Sequence, residues 1–599
     1  MTERELIEKE IEDIKDTYLK NAIYIIQDFN SENKTRDDYK GRQVFELLQN
    51  ADDCYTDDNN EVEVKIEIGD DSLIFQNTGK PFNARGITSL LHPDTSSKYG
   101  NTIGCKGLGF RSILNWSQDI LIITKDFTVS FSKERAIQNL KDYKAKTDER
   151  HKNELNNIDR TSILSSARIE DGKELEEKYL SNGFSTSIVL KCDKEKIKDI
   201  EKEVDDLHFE ELLFLKHVRK IQIVNGSQIR SIESIKENEK YTIKENEKIT
   251  EWTVWKKDGE ISISNGKEKR YELAIAYNND DKKKEELRRK GVLYSYFKTE
   301  IPMPFPFLVH GTFELTSERN NLEKESECNK ILLDYLIDFI IERGLAIATK
   351  ENTFSNYEPL KFLIPNKEIH SLDENYNFTN LLKEKIKDKK ILPSIDGTYI
   401  SFSDNPKFEN LNFAKICEKN TFKSLLLYTE DTKIIEYLKG NNVNSFSDKD
   451  LTDLINSDAN YYVKNDLAAD LIILYDKKYG QSNYGPHILY DNKNDFAFNE
   501  NRKFFNNPTN PMDIPSWSNL SFINKELQDK LCKEWNADAR TLTTKLKKFG
   551  CDEYSFDRVI RELIGQSQND KEHIKDLLKC KRNINRLAKN RHFDSKSES

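Results

Sequence analysis

Residues 46–53 read ELLQNADD, and further on residues 100–112 read GNTIGCKGLGFRS. In the first stretch Leu47, Leu48 and Ala51 supply apolar positions, while Glu46, Asn50 and Asp53 fall at i, i+4 and i+7. That spacing stacks three polar side chains on one helix face. An acid, an amide and a second acid in a column suit magnesium with its waters, because this ion takes hard oxygen ligands. In the second stretch Gly100, Gly104, Gly107 and Gly109 crowd one ten-residue window, although 22 glycines in 599 residues average fewer than one per window. Glycine permits positive φ and a close backbone approach to a ligand. A loop of this kind leading into a helix, here expected over residues 110–114, turns free N–H groups towards an anion. The GxxGxG spacing alone equally describes a tight turn that packs closely. Its pairing with Glu46 and Asn50 favours the two halves of one nucleotide site.

Composition sets the frame around that site. Lys and Arg number 94 against 105 Asp and Glu, giving a net charge of −11, so no global basic field points to nucleic acid. The 8 cysteines show neither CxxC spacing nor partnering histidines, which fits reduced thiols in a cytoplasmic protein rather than a zinc site. The amino terminus, MTERELIEKEIEDIK, is charged from its third residue and lacks the apolar core of a secretory signal. The most apolar helical segment, residues 331–348, is interrupted by Asp334, Asp338, Glu342 and Arg343, which argues against membrane insertion.

Along the chain, residues 3–30 read as helix, followed by the helix carrying Glu46. EVEVKIEIG alternates charged and apolar residues at period two, and SLIFQNTG is a second short strand. Residues 83–103 read as a polar loop, residues 120–124 and 128–131 as a hairpin, and STSIVLKC as a further strand. This order predicts an α/β protein, an α+β sandwich with an antiparallel sheet covered by helices. Residues 196–269 are highly charged with short strands such as KIQIV and ISISN, and Pro302, Pro304 and Pro306 force extended backbone suited to a sheet edge. ILPSIDGTYISF signals a hairpin whose Asp396 and Gly397 suit a type I′ turn. Residues 575–591 form a basic amphipathic helix, read first as a solvated face and second as a surface for a partner or nucleic acid.

Taken in order, ELLQNADD, QNTGKPF, IGCKGLGFRS and STSIVL resemble the four motifs of the GHKL, or Bergerat-fold, ATPases. GRQVFELLQNADD and the later VHGTFELTSERNNL are most similar to the sacsin-like, chaperone-related branch. The resemblance spans roughly residues 10–345, and four ordered motifs are far more specific than one pattern. It implies an ATP-binding domain over residues 1–195, a transducer-like middle domain over 196–350, and a C-terminal α/β and helical region over 351–599 without a legible role.

The resemblance also implies roles. Glu46 matches the general base that polarises the attacking water, and Asn50 the amide that holds Mg2+ between the phosphates of ATP. Asp53 matches a supporting acid, while Arg42, one turn before Glu46, either orients that base or forms an ordinary i,i+4 surface pair. Asn77 stands where an aspartate receives the adenine amino group, with Gly79 as the following glycine; Pro81 replaces the next one. An amide oxygen accepts that bond but its nitrogen also donates, so base selectivity is weaker than phosphate binding. Thr186 matches the threonine of the last motif, whose hydroxyl meets Asn77 or a bridging water; β-strand propensity explains it equally. Gly104, Lys106, Gly107, Leu108, Gly109 and Phe110 match the phosphate loop, and Lys98 adds a cation at the lid. Arg319 matches the middle-domain arginine that reaches the γ-phosphate.

The implied function is an ATP-driven conformational switch with slow hydrolysis and a protein client. Homodimers are common in the resembled family. A sensor ATPase of antiviral defence or DNA repair, licensing an effector such as a nuclease, is the alternative, as is a nucleotide-binding scaffold that does not hydrolyse. A histidine kinase is disfavoured because no histidine precedes His92.

Overall fold

The computed structural model describes residues 1–38, 41–56, 61–92, 109–147, 149–264, 266, 268–316, 319–350, 356–366, 369–408, 424–445, 447–493, 502–509, 511–568 and 570–579. The chain divides into two compact units, Met1–Glu342 with Phe362–Glu384, and Arg343–Lys361 with Lys385–Ser599. Both mix helix and strand, and the expected α/β class holds at that level. Among the described residues no helix is long and apolar enough to cross a membrane.

The period-two run folds as expected. Val62, Val64, Ile66 and Ile68 of β1 (Val62–Ile68) are buried. Glu63, Lys65 and Glu67 take the other face, where Lys65 pairs with Glu67 at 2.7 Å and Lys220 with Glu63 at 3.3 Å. One face therefore packs on helices while the other meets solvent. β2 (Ser72–Asn77), β3 (Asp119–Ile123), β4 (Thr128–Ser132), β5 (Arg168–Ile169) and β6 (Thr186–Lys191) extend the sheet on one side of β1. β7 (Val218–Asn225), β8 (Gln228–Glu237), β9 (Lys240–Glu245), β10 (Lys248–Ser262), β11 (Glu268–Asn278), β12 (Val292–Ser295), β13 (Phe297–Pro302) and β14 (Phe307–Gly311) extend it on the other.

These 14 strands form one sheet in the order β13-β12-β14-β11-β10-β9-β8-β7-β1-β2-β6-β3-β4-β5. Neighbours run antiparallel except at β1/β7 and β12/β14. The β1/β7 joint, from Val62↔Val218 to Ile68↔Asn225, carries the sheet past residue 195 without a break. β13, which ends at Pro302, is an edge strand, the place proline tolerates.

Helices α1 (Glu3–Lys20), α2 (Ile23–Asp38) and α3 (Gln43–Asp52) precede β1, and α4 (Ala84–Leu91) follows β2. α5 (Lys133–Lys146), α6 (Glu149–Leu155), α7 (Lys173–Tyr179), α8 (Lys194–Asp205), α9 (Asp281–Lys290) and α10 (Glu327–Lys350) follow. Three local expectations are corrected. The single helix over 3–30 is two, because Asn21 is extended and its Oδ1 accepts from the N–H of Ile23. The polar loop over 83–103 contains α4 in its described part: Asn83 caps it through the N–H of Gly86, and Ile87, Leu90 and Leu91 are buried. The short strands expected after residue 196 include a long ribbon, with β10 paired to β11 from Trp252↔Asn278 to Ser262↔Glu268.

The second unit is mainly helical with small sheets. Tyr462, Leu471, Ile472, Tyr475, Phe504, Leu531 and Phe549 build its core. The hairpin at residues 392–400 forms, but with a different turn. Gly397 alone of its central pair has positive φ (+83°), its N–H reaches the Ser394 carbonyl at 3.1 Å, and Ser394 N–H reaches Thr398 at 2.8 Å. A type I turn closed by a left-handed glycine fits a three-residue loop, where type I′ needs two residues at positive φ. Of the expected basic helix, only the part up to Lys579 is described.

Candidate functional site

α3 is buried around almost its whole circumference. Leu47, Leu48 and Ala51 join the same core as Val64 and Ile66 of β1. Its polar side chains must therefore find partners, since an uncompensated buried carboxylate is strongly unfavourable. Glu46, only 4% exposed, lies 3.1 Å from the guanidinium Nη1 of Arg319. The same Nη1 donates to Gln49 Oε1 at 2.6 Å, so the arginine bridges two residues at i and i+3 on α3.

Arg319 comes from a hairpin tip between Leu315 and Leu322, which pair as an antiparallel bridge. Its φ of +55° is left-handed, unusual for a side chain of this size. The conformation is held by its own N–H on Thr316 O at 2.8 Å and by the N–H of Glu300 on Asn320 O at 3.0 Å. From the other side, Arg42 Nη1 donates to Asn320 Oδ1 at 3.2 Å and to Arg319 O at 3.5 Å. Arg42, expected either to orient Glu46 or to form a surface pair, is 8% exposed and clasps the arginine hairpin.

The C-terminal end of α3 meets the QNTGKP turn. Gly79 has φ +93°, and a Cβ there would fall 2.1 Å from Cys54 O. That carbonyl accepts the N–H of Lys80 at 2.6 Å. Only glycine permits this approach, which sets the turn beside the helix carrying Asn50. Asn77 is buried at the end of β2, opposite Thr186 in the β2/β6 register. Its Nδ2 donates to Thr78 O at 2.8 Å, and its main-chain carbonyl accepts from Ser185 N–H at 3.0 Å. The Thr186 hydroxyl, expected at Asn77 or a bridging water, accepts from the N–H of Phe82 at 2.9 Å. Phe110, in the 3-10 helix Gly109–Asn115 that replaces the expected helix, packs on Phe82 with ring centroids 6.2 Å apart.

Glu46 and Arg319 thus meet directly, Gly79 lies against the C-terminal end of α3, Asn77 and Thr186 pair across β2 and β6, and Phe110 packs on Phe82. Asp53 forms the C-cap of α3. Lys98, Gly104, Lys106, Gly107 and Leu108 lie outside the described residues. Sequence reading missed Gln49, whose only signal is its position three residues after Glu46. It also missed Asp52, whose oxygens accept the N–H groups of Lys216 at 3.1 Å, His217 at 2.7 Å and Val218 at 2.7 Å. Burial raises the Asp52 carboxyl above its ordinary range, and those three N–H bonds pull it down.

Among the described residues no group of three or more His, Cys, Asp or Glu side chains could hold a metal ion. Asn50 carries an amide oxygen of the hard type that magnesium takes, and the buried Gln49 Nε2 and Ser112 Oγ are polar atoms without a hydrogen-bond partner. No protein-family model matches the chain, and no curated protein matches it.

Proposed function

We propose that this chain is an ATP-hydrolysing conformational switch of the GHKL type, with Glu46 as the general base and Arg319 as the residue that couples hydrolysis to the second half of the sheet. The single observation carrying this reading is the Glu46–Arg319 ion pair at 3.1 Å, formed by a buried acid on α3 and an arginine from a hairpin far along the chain. A buried carboxylate on a rigid helix is suited to orient water and take its proton as the bond to the γ-phosphate forms. Asn50 would hold the magnesium, which neutralises phosphate charge when bound. Arg319 carries a permanent planar charge that matches phosphate oxygens as well as carboxylates. Exchange of Arg319 between Glu46 and a phosphate would free the base and bind the hairpin to the nucleotide in one motion, so differential affinity links ATP to hairpin position.

The test is Glu46→Gln. The neutral amide still fits the site but takes no proton, so ATP affinity should stay within about threefold while turnover falls at least roughly a hundredfold. Wild-type turnover in this variant would overturn the assignment.

A further inference from the structure

α3 starts without a side-chain cap of its own. Arg42 holds the N-cap position at φ −133° and ψ 14° and its side chain caps nothing there. A helix start leaves its first N–H groups unpaired, and an anion is favoured at that end by the helix dipole. The missing acceptor comes from α8: Glu203 Oε1 accepts the N–H of Val44 at 2.8 Å, and the N–H of Gln43 bonds to the same carboxylate. The charge of the Arg42 guanidinium attracts this carboxylate. That guanidinium also donates to the Arg319 hairpin, and the Arg42 carbonyl accepts the N–H of Glu46 at 3.0 Å. One carboxylate thus bonds the start of the helix bearing the proposed base and attracts the residue clasping the proposed activating arginine.

We propose that Glu203 is a positioning residue for ATP hydrolysis, capping α3 and, through Arg42, setting the Arg319 hairpin against Glu46. This rests on the ATPase reading above. Glu203 acts through the backbone of α3 and through Arg42, and touches no reacting atom. Its ionised form is the better acceptor and the only one that the Arg42 charge attracts. Burial pushes its carboxyl up to about 7; the Val44 and Gln43 N–H groups and Arg42 lower it, and Asp206 on its own helix raises it. Lys298 of β13 donates to the Asp206 carbonyl at 2.9 Å. The ionised fraction of Glu203 therefore rises through neutrality.

The experiment uses the full chain as wild type, Glu203→Gln and Glu203→Ala, with steady-state ATP turnover from pH 6 to 8.5 and amide exchange over residues 43–47 without nucleotide. Wild-type kcat should rise through pH ~7 with KM nearly constant, and Glu203→Gln should lose that rise and fall roughly fivefold in kcat, the scale of a lost cap. Protection of Val44, corrected for intrinsic exchange, should be high in wild type and low in Glu203→Ala. A Glu203→Gln variant with the wild-type pH profile, or Val44 protection unchanged in Glu203→Ala, overturns the proposal. A wild type that turns over no ATP, with Val44 protection still following Glu203, overturns the ATPase reading while supporting the cap.

Discussion

Asp52 and Asp53 are neighbours in sequence and differ in every structural respect. Asp53 ends α3 at a partly exposed position, whereas Asp52 has no exposed surface and ties the helix to the start of β7 through three N–H bonds. Charged hydrogen bonds to buried N–H groups are strong, and deleting the acceptor strands all three donors. Asp52→Ala should destabilise the first unit by on the order of 3 kcal/mol and lower its melting temperature by several degrees in a thermal unfolding scan. Helical periodicity put Glu46, Asn50 and Asp53 on one face; α3 carries the first two and ends with Asp53 as its C-cap. It gave no sign that Gln49 and Asp52 would be the residues gripped from elsewhere, because their partners lie in other elements.

At the scale of elements, the QNTGKP turn shows how one residue holds two elements together. Gly79 combines a left-handed φ with a Cβ position 2.1 Å from Cys54 O. Any side chain there must push β2 away from the end of α3. Gly79→Ala should therefore weaken nucleotide binding at least about tenfold as well as lowering stability, as read by titration with a fluorescent ATP analogue. Full binding by a folded Gly79→Ala would separate this turn from the site. The strand pattern of β1 was legible because one face packs and the other is wet, which leaves a period of two in the residues. α4 was not, because its eight residues sit in a polar setting and only Ile87, Leu90 and Leu91 betray it.

At the scale of the whole molecule, buried titratable groups set a pH window. Burial drives the His310 imidazole down to about 3, with the Lys256 and Lys216 charges in the same direction and Glu272 opposing, while its Nδ1 accepts the N–H of Tyr296 at 3.0 Å. Between about pH 6.5 and 3 the unfolded chain binds this proton and the folded chain does not, so acidification lowers stability. Glu203 has the opposite sign: with its folded carboxyl near 7, the folded chain binds the extra proton between about pH 4.5 and 7, and stability falls as pH rises through that range. Burial beside Glu210 raises Glu211 and adds to this second trend. Melting followed by fluorescence should show highest stability in mildly acidic buffer, and His310→Phe should have a shallower acid limb than wild type. Equal slopes would remove His310 from this account.

Much of the fold was visible in local patterns: the alternating strand, the stripe on α3, the edge proline at residue 302, and glycines at positions needing positive φ. Arg319 was named through resemblance, since no spacing rule connects a hairpin after β14 to a helix before β1. By itself, the sequence determined which faces are apolar and where the backbone must turn, because those properties depend on residues a few positions apart. Tertiary structure alone decided that α3 is clasped by Glu203 at its start, by Arg319 along its polar face and by β7 at its end. Those contacts depend on a sheet register that joins β1 to β7 and on the burial that obliges each charge to find a partner.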